Sequence, residues 1–330
     1  MDCIKCHGPI AAAAARKVKH PAMEGGCDSC HVNHRDQKAR AEAKGDHYLT
    51  DKQPAVCGGC HDVAEKKLLD THKGQPFATA ECSGCHNPHG SDQPKLIAEM
   101  AHSPFDARAC DSCHKPPKDG KVVLNESSTS KLCFGCHADV EERLKKAKFQ
   151  HTLLKSDDNS CADCHDPHAS GRKFGLRKPV AELCSACHSD LTDGKKFVHK
   201  PVTESCTACH NAHASDFEKN THAAVNDLCL GCHGPSALKI VQGPEPVSLF
   251  GGKVALPAKA YEDLSWLQLS NDGKLGHPYP QHPVSAPASE GKAEITCLSC
   301  HKPHAANGSA KMLVTETARA DKLCIRCHGK

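Results

Sequence analysis

The sequence predicts a chain of coil and short α-helices with little or no sheet, laid out as a quasi-linear array of small repeated units. Three observations predict it. The pentapeptide Cys-x-x-Cys-His occurs twelve times in 330 residues and accounts for all 24 cysteines. Aromatic residues make up only 4% of the chain, with one tryptophan, Trp266. A water-soluble chain of this length ordinarily fills its interior with aliphatic and aromatic side chains, so another apolar group is expected to take that role. The pentapeptides also recur within a longer pattern, as they do in stacked-repeat architectures.

The motifs run from the first residues to the last. They are Cys3, Cys6 and His7; Cys27, Cys30 and His31; Cys57, Cys60 and His61; Cys82, Cys85 and His86; Cys110, Cys113 and His114; Cys133, Cys136 and His137. They continue with Cys161, Cys164 and His165; Cys184, Cys187 and His188; Cys206, Cys209 and His210; Cys229, Cys232 and His233; Cys297, Cys300 and His301; Cys324, Cys327 and His328. This is the attachment signal of c-type haem. Two thiols add to the two vinyl groups of one porphyrin, and the adjacent imidazole binds the iron from one face. A disulfide framework would not require a histidine after every pair, and a zinc protein built on such pairs would show some without one. Twelve covalently attached haems are therefore expected, and the fold is expected to be haem-dominated. Covalent attachment also offsets the entropy lost in ordering so much coil.

Taken in order, the first motif stands alone at 1–19. A doubled unit follows at 20–71: a leading His20, then Cys27–His31 with a trailing His34, then the plain motif at Cys57. Residues 72–150 form an irregular three-haem region with His72, His89 and His102. There the position of a trailing histidine after His114 is taken by Pro117. Doubled units return at 151–198 (His151, His168), 199–233 (His199, His213) and 282–330 (His282, His304). Residues 234–281 are haem-poor and hold Trp266, Tyr261, Tyr279 and Phe250; a packed insertion covering haem edges is expected. Ala11 to Ala15 read as a short helix by propensity.

Each iron needs a second axial ligand. Outside the motifs stand His20, His34, His47, His72, His89, His102, His151, His168, His199, His213, His222, His277, His282 and His304. The four methionines recur at no fixed offset, so bis-histidine ligation is expected. Without methionine ligands the potentials are expected to be low. A trailing histidine lies three residues past its own proximal histidine, on the same side of that ring. It must therefore reach a neighbouring haem, which clamps neighbours together. Repeat positions supply eleven ligands for eleven haems. The haem on Cys3 and Cys6 remains, with His47, His222 and His277 as candidates. Nearness in sequence assigns His47, and His277 comes next.

The net charge is +3, from 42 basic and 39 acidic residues. Short basic runs such as Arg16-Lys17-Val18-Lys19 and Arg143-Leu144-Lys145-Lys146 read as solvated faces, and no nucleic-acid partner is expected. No stretch approaches the apolar length of a membrane helix. No signal peptide is visible, yet multiple haem attachment requires export. The sequence is therefore expected to be a mature chain from which a signal was removed. Its compartment would be periplasmic, outer-membrane-associated or extracellular.

Cys82-Ser-Gly-Cys85-His86-Asn-Pro-His89-Gly-Ser, Cys161-Ala-Asp-Cys164-His165-Asp-Pro-His168-Ala-Ser and Cys297-Leu-Ser-Cys300-His301-Lys-Pro-His304 resemble the doubled-CXXCH multihaem cytochromes c of metal-, sulfur- and iron-cycling bacteria. The resemblance covers the chain except about 234–281. The missing trailing histidine after His114 and the lone motif at Cys3 depart from a regular doubled repeat. The haem density resembles that of the periplasm-facing cytochromes of porin–cytochrome conduits, and extracellular cytochrome wires share the motifs. The resemblance implies an electron carrier with redox partner proteins and either a porin partner or self-association into filaments. A multihaem reductase of nitrite or hydroxylamine is the competing class. It would need an iron with an open ligand position, often marked by lysine in place of a proximal histidine, and all twelve motifs here end in histidine.

Overall fold

The computed structural model describes residues 3–75, 80–155, 161–234, 247–256, 282–287, 294–315 and 320–328. Trp266, Tyr261, Tyr279 and His277 lie outside these. The chain divides into two compact units, Met1–His137 with Asp157–Pro179, and Ala138–Ser156 with Val180–Lys330. The first carries seven motifs and the second five.

The described chain is mostly coil with short helices, as expected. Many motifs themselves curl into a helical turn, as at Cys82–Cys85 and Cys161–Cys164. The amide of the motif histidine then bonds the carbonyl of the first cysteine, for example His31 to Cys27 at 2.9 Å and His86 to Cys82 at 2.9 Å. Residues three and four apart share a face of a helical turn. The turn therefore gathers both thiols and the imidazole on one side.

In the first unit, the helix Gly8–Ala14 starts with a proline in its first turn and runs through four alanines, a sequence of high propensity with a pre-set first φ. Sheet is confined, among the described residues, to two-stranded antiparallel pairs. Two of them in this unit are hooks: Val18–Lys19 pairs with Gly90–Ser91, and Met100–Ala101 with Ala169–Ser170. Each joins the dipeptide before a leading histidine to the dipeptide after a trailing one. Ser91 and Ala169 are almost fully buried. Such small residues let two backbones meet, and a Cβ on Gly90 would run into the carbonyl oxygen of Ala13. A third pair, His114–Lys118 with Lys121–Leu124, is a hairpin. Its Asp119-Gly120 corner has φ 52° and 67°, the double left-handed turn that Asp-Gly favours.

The second unit repeats the hook twice, Phe149–Gln150 with Ala214–Ser215 and Phe197–Val198 with Ala305–Ala306. Its helix Ala138–Lys146 is charged on its exposed side. Arg143, Lys145 and Lys146 each pair with an acid one turn earlier, Asp139, Glu141 and Glu142, so this basic run is a solvated face, as its sequence reads. Only Leu144 of this helix is buried. The described part of the haem-poor segment is a hairpin, Val247–Leu249 with Val254–Leu256. It buries Val247, Leu249 and Val254 and lays the Phe250 ring against Gly231 of the Cys229 motif, where any Cβ would collide with it. The described hairpin thus packs against that motif. Few large side chains are buried elsewhere among the described residues. No described helix is long and apolar enough to cross a membrane.

Candidate functional site

The imidazoles of the motifs face imidazoles from elsewhere in the chain. Two imidazoles bound to opposite sides of one metal, with metal–nitrogen bonds of about 2 Å, hold their ring centres about 6 Å apart. Ten motif histidines show that spacing. In the first unit the pairs are His7–His34 (5.8 Å), His61–His20 (6.0 Å), His31–His89 (6.1 Å), His86–His72 (6.2 Å), His137–His102 (6.0 Å) and His114–His168 (5.8 Å). In the second they are His188–His151 (6.3 Å), His233–His199 (6.0 Å), His210–His304 (6.0 Å) and His328–His282 (6.2 Å). The residues present thus fit a bis-histidine iron at each pair.

Two rules appear in this list. A trailing histidine reaches back to an earlier motif, as His34 does to His7, His89 to His31, His168 to His114 and His304 to His210. A leading histidine passes over the motif that follows it and serves the next plain one, as His20 does for His61 and His199 for His233. His72 is the exception, facing the motif directly after it. The hooks make both rules work, because they set a leading histidine beside a trailing one. The amide of His102 bonds the carbonyl of His168 at 2.8 Å, that of His151 bonds His213 at 2.9 Å, and that of His199 bonds His304 at 2.9 Å.

The structure sets His34, and not the expected His47, opposite His7 at 5.8 Å, with the Tyr48 ring 5.5 Å from that of His34. His47 is exposed and has a left-handed backbone (φ 57°). Its contribution is its carbonyl, which accepts a 3.0 Å hydrogen bond from Nδ1 of His31. Nearness along the chain missed this because the turn that carries His47 belongs to the second motif.

That bond belongs to a recurring device. Nδ1 of His86 donates to Lys95 O (2.8 Å), His165 to Phe174 O (2.8 Å), His210 to Lys219 O (2.8 Å) and His301 to Lys311 O (2.8 Å). At four of the five turns two successive residues are left-handed: His47 and Tyr48, Lys95 and Leu96, Phe174 and Gly175, Lys219 and Asn220. Left-handed backbone costs a non-glycine residue roughly 1–2 kcal/mol. Serines help to hold three of these turns, with Oγ of the buried Ser91 and Ser170 and the half-buried Ser215 donating to the carbonyls of Ile97, Leu176 and Thr221. A donated Nδ1–H fixes the tautomer, leaves the Nε2 lone pair for a metal and makes the imidazole a stronger base. The sequence reading missed this clamp, whose only written trace is the serine two places after a trailing histidine.

His222 shows the reverse arrangement. It is 7% exposed. Its Nε2 is spent on the carbonyl of Thr207 at 2.9 Å, and its ring stacks on Phe250 at 5.9 Å. It stands in a packed position and not opposite a motif imidazole in the described pairs. His213 holds its repeat position in the third hook, where its carbonyl accepts from the amide of His151.

Burial holds the imidazoles of His86, His89, His114, His168, His199 and His304 below the ordinary 6.5, which keeps them in the neutral, metal-binding form. Burial also pushes the thiols of Cys57, Cys85 and Cys209 up to about 11. This disfavours the thiolates that a zinc site would need. Neighbouring motifs touch through their cysteines: Cys3 with Cys27, Cys57 with Cys82, Cys133 with Cys161 and Cys229 with Cys297 stand within hydrogen-bonding reach of each other. Porphyrins held at those sulfurs would lie edge to edge. One cluster mixes ligand types, Cys85, Asp166 and His168. Its cysteine belongs to a motif, its histidine faces His114, and Arg177 pairs with Asp166 at 3.3 Å.

The family model of the doubled CXXCH motif matches residues 20–66, 75–101, 102–142, 151–193, 199–238 and 286–330, most of the chain. The chain is also similar to the multihaem cytochrome MtrA of Shewanella baltica (strain OS185), with 30% identity over 203 residues, 61% of this chain. The matched part spans 46% of that relative's length.

Proposed function

The chain belongs to the doubled CXXCH family of multihaem c-type cytochromes, and from that premise we propose that it passes electrons along twelve covalently attached, low-potential, bis-histidine haems. Its setting is the periplasm or the outer membrane, as a carrier for a conduit in extracellular or metal-linked respiration. Its partners are redox proteins and an outer-membrane porin. Haem supplies the one-electron couple of its iron, and the protein supplies spacing, ligation and potential.

One observation carries the reading: ten motif imidazoles each face a second imidazole at about the spacing of an axial pair. A face already filled by histidine offers no open position for a substrate, which favours a carrier over a reductase. The trailing histidines tie each motif to another, and the cysteine contacts bring porphyrin edges together, as electron hopping requires. The carbonyl clamps make His31, His86, His165, His210 and His301 stronger bases, and this lowers the potentials of their haems.

The test is a haem count by pyridine haemochrome against protein mass, with electron paramagnetic resonance of the oxidised protein. Twelve low-spin haems per chain are expected, in two spectral classes. The imidazole planes are strongly crossed at His7–His34 (82°), His86–His72 (62°), His188–His151 (84°) and His328–His282 (64°), and within 31° of parallel at the other six pairs. A high-spin haem that shifts on adding nitrite or hydroxylamine would replace the carrier with a reductase. Ordered filaments in detergent-free electron microscopy would replace the porin partner with copies of the chain.

A further inference from the structure

Of the six motif histidines that come first in a unit, His31, His86, His165, His210 and His301 carry the clamp and His114 lacks it. The plain-motif histidines His7, His61, His137, His188 and His328 are exposed, so water can accept their Nδ1–H. After His114 the chain forms the 114–124 hairpin in place of the turn that returns a carbonyl to the imidazole. The closing bond of the module survives, Asn125 N to Cys113 O at 2.9 Å, matching Ala98 to Cys85 at 2.8 Å and Arg177 to Cys164 at 2.9 Å. The clamp does not. Nδ1 of His114 is buried and has no hydrogen-bond partner among the described residues. Burial also keeps water from standing in for the missing carbonyl.

An imidazole that donates Nδ1–H to an acceptor is more basic and stabilises the ferric state more. Without that acceptor the ferrous state gains. The electrostatics of the opposite ligand do not cancel this. Nδ1 of His168 stands 3.7 Å from Asp166, but Arg177 offsets that carboxylate at 3.3 Å. The hairpin itself adds three exposed lysines, Lys115, Lys118 and Lys121, whose charge favours an added electron, weakly because salt screens it. We propose that the site built from Cys110, Cys113, His114 and His168 is the most oxidising haem site of the chain, where the first electron to enter comes to rest. This rests on the reading that His114 and His168 hold one haem.

His31–His89 is the matched control. It lies in the same unit, its imidazole planes make the same 14° angle as those of His114–His168, and its proximal Nδ1 is clamped by His47 O. His168→Met and His89→Met are compared with the parent holoprotein by redox titration followed by electron paramagnetic resonance. Methionine ligation raises a haem's potential, so each variant removes one component from the parent's set and thereby identifies it. The component lost in H168M is expected to be the first that the parent reduces. It should lie at least tenfold in reduction equilibrium above the one lost in H89M, about 59 mV for one electron. A component at or below that of H89M overturns the inference and leaves the haem reading standing. No displaced component in H168M, with the other haems intact, overturns both.

Discussion

The turn after His86 and the hairpin after His114 begin alike and finish alike. Both leave a motif histidine, and both return an amide to the carbonyl of the second cysteine. Between those points one doubles back through Lys95 and Leu96, two left-handed residues, and holds the imidazole. The other runs outward to Asp119-Gly120 and holds nothing. The closing bond is a demand of the fold, since both regions keep it. The clamp is a demand of the ligand, and the chain maintains it against backbone strain in five places. Strain of this kind collects where function needs a fixed group.

The comparison is broken most forcefully by taking away a ligand instead of its support. His34→Ala should leave one haem high-spin, seen as a new oxidised-state signal. His47→Ala should keep every haem low-spin, because its backbone and not its ring serves His31. A high-spin haem in the second variant alone would restore His47 as the ligand.

A smaller effect separates two left-handed glycines. Gly175 lies in the clamp of His165 with φ 66°, and a Cβ there would sit 3.2 Å from the carbonyl oxygen of Asp166. Gly175→Val should cost about 2 kcal/mol or more and perturb the ligand field at His165. Gly120, at the hairpin tip with φ 67°, has nothing within 4 Å. Gly120→Val should cost roughly 1–2 kcal/mol and leave all haem spectra unchanged. Thermal melts with low-spin spectra check both, and equal spectral damage would show that the hairpin supports a ligand after all.

The smallest effect belongs to His222, which lies in the closing segment of the His210 module. His222→Ala should lose about 1 kcal/mol for its hydrogen bond, with the haem count and potentials unchanged. Burial lowers its pKa in the folded chain below the ordinary 6.5, and the nearby Lys253 amine, 3.4 Å from its carbonyl, acts in the same direction. The unfolded chain therefore takes the proton first. The stability that His222 adds is complete above pH 6.5 and declines as pH falls beneath it. The gap between parent and variant should narrow in acid, and a gap constant with pH would contradict a neutral buried imidazole.

Much of this architecture was legible in the residues. The cysteines and motif histidines are written in full, because attachment chemistry needs fixed spacing within one helical turn. The trailing histidines could be sent to other motifs on geometry alone, since His34 or His168 cannot turn under its own ring. The coil-rich fold followed from a shortage of aromatic and large apolar side chains. The hooks were not legible. Strands of two residues, such as Phe197–Val198, are too short to show an alternation, and the partners of this one, Ala305–Ala306, lie far along the chain.

By itself the sequence determined which side chains can carry haem and how many there are, because covalent chemistry is local. Only the tertiary structure decided which histidine faces which. Partner choice is set by backbone pairing between distant hooks, and ligand strength by carbonyls whose positions come from φ angles and not from residue type. His47 and His34 are the same residue thirteen places apart. The fold turns the first into a backbone prop and sets the second opposite His7.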